Sequence, residues 1–164
     1  MQSVRLIALT ILFAFGTSLS SIAAPKVVAS IMPVHSLAAS LMKGVGEPSL
    51  IIPANVSPHR FALKPSQRKA IAEADLVFWI GHGIEGRLAK TLSEKKSSAV
   101  SLVNASGILT LKARSGGVWG NHDGHDHHDH HGHGEHGDVS KDMHIWLDPV
   151  NASAMVKVMM RSLI

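Results

Sequence analysis

Residues 75–80 read Asp-Leu-Val-Phe-Trp-Ile, an almost unbroken apolar run closed by Gly81. A strand with one wet face alternates apolar and polar side chains, so a run this short and continuous belongs to a strand covered on both faces. That requirement points to helices packed on either side of a parallel sheet, and the flanking sequence supplies them. Residues 26–31 (KVVASI) form a short β-rich run that leads to Pro33, a good first helical position. Leu37, Leu41, Met42 and Val45 then recur at helical spacing until Gly44 and Gly46 stop the pattern. Residues 49–52 are a second predicted strand, and Ser57-Pro58-His59 is a turn, because Pro58 lacks an N–H and pushes Ser57 toward extended geometry. Pro65 opens a helix through Ala74, Gly81-His82-Gly83 breaks the chain after the apolar run, and residues 84–94 are amphipathic. Residues 99–103 and 143–147 (MHIWL) read as strands, and Asp148-Pro149 starts a last helix. Strands alternating with helices over short connections predict an α/β fold, a parallel sheet flanked by helices, with ligands beyond the carboxyl ends of the strands.

The first 24 residues stand apart from this alternation. Arg5, an apolar stretch from Leu6 to Phe15 and small residues from Ser21 to Ala24 have the layout of a cleaved secretory signal. Ten residues of helix extend only about 15 Å, half of a hydrocarbon core, which argues against a membrane span. The expected organisation is therefore a signal peptide, 1–24, followed by one α/β lobe, 25–164, that works outside the cytoplasm. The chain has 164 residues, no Cys, and 16 Lys+Arg against 12 Asp+Glu. The absence of Cys excludes thiol catalysis and Cys-type structural zinc sites. A formal charge of +4 without a basic cluster or interleaved aromatics excludes nucleic acid as the expected partner. No GxSxG, phosphate-cradling glycine loop or HExxH is present, so no enzyme activity is expected.

The chemistry lies in the 12 histidines. Eight of them, His122, His125, His127, His128, His130, His131, His133 and His136, crowd into a Gly- and Asp-rich tract within residues 115–140. A segment with almost nothing apolar cannot offset its ordering entropy by burial, so a mobile loop is expected there. Its imidazoles and carboxylates suit divalent metal in several arrangements, with little selectivity. His59, in the turn SPHRF, and His144, in DMHIW, are isolated and better placed for a defined site; two ligands alone do not complete a zinc centre. His35, near a helix start, and His82, between two glycines, are weaker candidates. Glu85 opens a helix, where the positive dipole end favours it, a structural role rather than a catalytic one.

The runs VVASIMPVHSLAASLMKGVGEP and SPHRFALKPSQRKAIAEADLVFWIG, the acidic His tract and DMHIWLDP follow one another in a specific order. In that order the mature chain resembles the periplasmic zinc-binding proteins of bacterial zinc ABC importers, ZnuA-like members of the cluster A-I (TroA-like) solute-binding family. The resemblance implies the amino-terminal lobe of a two-lobed fold in which a metal lies between the lobes. It makes His59 and His144 the first-lobe ligands of Zn²⁺ and the His-rich tract an auxiliary metal-capturing element. A third His and an acidic ligand come from the second lobe in that family, and residues 1–164 contain no counterpart, so a truncated chain is expected. Pro58 stands where some zinc members carry Glu, and Arg60 where an acidic residue is often found. The implied function is the zinc-binding component of an ABC-type uptake system, located in the periplasm, monomeric, and handing Zn²⁺ to a membrane permease. The alternatives are a stand-alone His-rich metal buffer and a non-functional fragment.

Overall fold

The computed structural model describes residues 23–95, 98–114 and 141–164. The body of the signal-peptide expectation and all eight histidines of the tract lie outside the described residues. Four strands, β1 (Val27–Ala29), β2 (Ser49–Leu50), β3 (Leu76–Trp79) and β4 (Ala99–Ser101), form one parallel sheet in the order β2-β1-β3-β4. β1 is the hub: Val28 and Ala29 pair with Ser49 and Leu50 of β2, while Val27 to Ala29 face Leu76 to Phe78 of β3. The order reverses between β1 and β3, so the crevice that such sheets offer to ligands opens beyond those two carboxyl ends. Among the described residues, four helices accompany the sheet: α1 (Met32–Leu41), α2 (Pro65–Glu73), α3 (His82–Ser93) and α4 (Pro149–Leu163). Among the described residues, no helix is long and apolar enough to cross a membrane.

The continuous apolar run behaves as its composition demands. Val77, Phe78 and Ile80 are fully buried, covered by Val34 and Ala38 of α1, Leu88 and Leu92 of α3, and Met155 and Met159 of α4 in one shared core. Prolines set the helix starts: each of α1, α2 and α4 carries Pro in its first turn, where a missing N–H costs nothing. Asp148 caps α4 by accepting the Val150 N–H at 2.8 Å.

Three elements differ from the sequence expectation. The glycine break is confined to Gly81, whose φ of 152° and whose 2.8 Å clearance between a notional Cβ and Val103 leave room for no other residue; His82 and Gly83 already belong to α3. The predicted strand 99–103 stops at Ser101 and continues as a 3-10 turn, Leu102–Asn104. The predicted strand 143–147 is instead a 3-10 turn, Ile145–Leu147, entered at His144. An apolar string reads as a strand only if both faces are covered; here Ile145 is buried but Leu147 is 74% exposed. Asp148-Pro149 must start a helix at once, and the tighter turn delivers the chain to it.

A second, two-stranded antiparallel ribbon joins β5 (Leu111–Lys112) to β6 (Lys141–Asp142). It is anchored to the main body through buried Asn151. The amide oxygen of Asn151 accepts the Leu109 N–H and its amide nitrogen donates to the Leu109 carbonyl, both at 2.8 Å.

Candidate metal centre

His59 and His144 come from different parts of the sequence and meet on one exposed face. His59 lies in the 3-10 turn Pro58–Arg60, on the chain that leaves β2, where Pro58 fixes the first residue of the turn. His144 follows directly after β6. Their ring centroids are 5.9 Å apart with planes tilted by 58°.

Helix α3 is the platform that brings them together. The Pro58–Arg60 turn packs against α3. Met143, the residue before His144, lies so close on Gly83 that a Cβ there would stand 2.6 Å from the Met143 Cγ. The platform is itself fixed by Glu85, which is fully buried. Its backbone leaves helical geometry (φ −109°, ψ 48°), turning the side chain in to the crevice between β1 and β3. There Oε1 accepts the Ser30 hydroxyl and the Ile80 N–H, and Oε2 accepts the Gly81 N–H at 3.0 Å. Burial pushes the Glu85 carboxyl above its usual range, and the hydrogen bonds from Ser30, Gly81 and Ile80 pull it back only in part.

His144 has defined partners. Asp142 Oδ1 accepts the His144 backbone N–H at 3.0 Å and lies 2.7 Å from its Nδ1. The backbone N–H of His144, and then its ring, hold the Asp142 carboxyl below the usual carboxylate range. Trp146 meets the imidazole edge-on at 5.2 Å. Among the described residues, nothing hydrogen-bonds to the ring of His59. His35 is occupied elsewhere, its Nε2 2.9 Å from the Pro48 carbonyl. His82 is exposed, with its ring over Gly86 one turn along. Among the described residues, no group of three or more His, Asp or Glu gathers in metal-binding geometry, so the folded lobe carries a pair of imidazoles and not a closed centre. A separate surface cleft of about 510 Å³, lined by Arg68, Ile71, Lys90 and Lys95 among others, contains neither histidine.

Sequence reasoning singled out the two histidines that the fold brings together, but not Asp142 or Glu85. Read as a strand, residues 143–147 gave no signal for the contact between Asp142 and His144. Nothing local in the sequence marks Glu85 as buried.

Solved structures share this open parallel α/β fold. A Zn(II)-bound ZnuA-like domain of Streptococcus pneumoniae AdcA superposes with a TM-score of 0.60 at 19% identity, covering 85% of this chain and 43% of that one. A structure of TroA matches with a TM-score of 0.58 at 22% identity, covering 83% and 41%. The family profile described as "Zinc-uptake complex component A periplasmic" matches residues 27–164, and the chain belongs to that family. The high-affinity zinc uptake system protein ZnuA of Brucella abortus (strain 2308) is 38% identical over 127 residues, which are 75% of this chain and 38% of that protein. The protein of the same name from Yersinia pestis is 34% identical over 140 residues, 80% of this chain and 43% of that protein. The chain thus spans about two-fifths of the length of these relatives.

Proposed function

We propose that residues 25–164 are the amino-terminal lobe of a periplasmic zinc-binding protein serving an ABC-type zinc importer, with His59 and His144 as its ligands for Zn²⁺. The observation that carries this reading is the convergence of two imidazoles on one exposed face, 5.9 Å between ring centroids. Zinc holds imidazole nitrogen at about 2.0–2.1 Å, so two rings at a tetrahedral angle have their centres roughly 5 Å apart. A small side-chain adjustment closes the difference. Imidazole favours Zn²⁺ over the oxygen-loving Mn²⁺ and Mg²⁺. Two ligands do not saturate the ion, which fits a lobe whose relatives are more than twice as long and whose family resemblance adds a second lobe with a third His and a carboxylate.

In this reading zinc is cargo rather than cofactor. The chain catalyses no reaction, acts as a monomer exported by its 1–24 leader, and passes the ion to a membrane permease. The His-rich tract gathers metal at lower selectivity; in the chain it lies between β5 and β6, and β6 leads straight into His144.

The test is zinc titration calorimetry at pH 7.4 on the chain and on a His59→Ala/His144→Ala variant, each with and without residues 121–137. The expected result is a one-metal phase that survives deletion of the tract and disappears with the double substitution. Binding that vanishes with the tract and ignores the double substitution makes the chain a His-rich metal buffer.

A further inference from the structure

The two imidazoles of the pair are not equivalent. His144 is held at three points: its backbone N–H donates to Asp142 Oδ1, its Nδ1 lies 2.7 Å from the same oxygen, and its ring makes a T-shaped contact with Trp146. His59 has no such restraint among the described residues. A carboxylate only accepts hydrogen bonds, so the proton between Asp142 and the ring sits on Nδ1, and the free lone pair of a neutral ring is left on Nε2. Asp142 is itself placed by the fold. It stands opposite Leu111 in the β5–β6 ribbon, and two residues before Leu111 the chain is clamped by Asn151 at the start of α4.

We propose that Asp142 is a positioning residue that locks His144 as its Nδ1–H tautomer, making His144 the pre-set member of the pair, with Nε2 offered to the metal, and leaving His59 as the member that adjusts. This deepens the zinc reading above and rests on it for the identity of the ion. The tautomer lock itself is a property of the metal-free chain. An orienting carboxylate also raises ligand basicity and removes the cost of choosing a tautomer at the moment of binding. The short ribbon that flanks residues 115–140 thereby sets one ligand of the folded lobe.

The experiment reads both properties. Long-range ¹H–¹⁵N correlation spectra of the metal-free chain near pH 8, with His144 identified by comparison with His144→Gln, report which ring nitrogen carries the proton. Zinc affinity is measured on the same samples by competition with a chelator. Wild type is expected to show Nδ1–H at His144, and Asp142→Ala a mixture of tautomers with zinc affinity about 10–100-fold lower. Asp142→Asn is the rescue: the His144 backbone N–H keeps the amide oxygen facing the ring, so the tautomer and most of the affinity return. Asp142 is exposed, and a dispersed amide spectrum confirms that each variant is folded. A wild-type ring that is mainly Nε2–H, or an Asp142→Ala variant with unchanged tautomer and affinity, overturns the proposal. An intact lock whose loss leaves zinc affinity unchanged sinks the zinc assignment of His144 and leaves the positioning role standing.

Discussion

At the scale of single residues, Glu85 shows how much a side chain's direction decides. In the sequence it is an acid near a helix start, where an exposed carboxylate gains modestly from the dipole. In the structure, non-helical backbone at that one residue turns it inward, where it satisfies two strand-end N–H groups and a serine hydroxyl. Glu85→Ala leaves the Ile80 and Gly81 N–H groups buried without partners, at about 1–3 kcal/mol for each unsatisfied group. Chemical denaturation should show that loss directly. The pH dependence has a definite sign. Burial raises the folded carboxyl above its unfolded value, so the stability contributed by Glu85 is full below the unfolded value of 4.5 and is lost as pH rises through the folded one. Glu85→Gln does not titrate. The stability of wild type relative to Glu85→Gln should therefore be greatest in acid and fall towards neutral pH; a difference that is flat or rises with pH contradicts the burial of the charge. Asp142 was hidden for a related reason. In an extended strand, side chains two apart stand side by side without bonding, and only the turn entered at His144 folds the ring back onto Asp142.

At the scale of elements, most of the chain was legible because each element depends on local pattern. The apolar run at 75–80, the prolines at 33, 65 and 149 and the glycine at 81 place β3, the starts of α1, α2 and α4, and the break after β3 within a residue or two. Residues 143–147 were misread as a strand because an apolar string does not state how many of its faces are covered. The sequence also does not say that helix α3 supports both histidines. Gly83 carries that role by letting Met143 approach. Gly83→Ala puts a methyl 2.6 Å from the Met143 Cγ, an atom too near the backbone to swing clear cheaply. The variant should separate His144 from His59 and weaken zinc binding by about tenfold or more, with a stability loss within the 1–3 kcal/mol typical of overpacking. Calorimetry on Gly83→Ala beside wild type checks this, and an unchanged affinity means that the pair does not depend on that contact.

At the scale of the whole molecule, the α/β lobe builds a framework on which two loops, one after β2 and one after β6, present imidazoles to solvent. The family assignment spans residues 27–164, yet that length is about two-fifths of the relatives compared. On the proposed reading, a pair of ligands rather than a closed centre is what a single lobe of a two-lobed receptor would contribute, and a closed zinc centre needs more donors than gather among the described residues. The histidine pair was legible as two isolated candidates, and the family resemblance joined them. Their spatial convergence required the fold, because it depends on sheet order and on helix α3 and not on spacing in the chain. The most direct test of the zinc assignment is anomalous diffraction at the zinc edge from crystals of the chain grown with one equivalent of Zn²⁺. The expected result is a peak between His59 and His144, within bonding distance of a ring nitrogen of each. Strong zinc peaks found only elsewhere, with the two imidazoles bare, would contradict it.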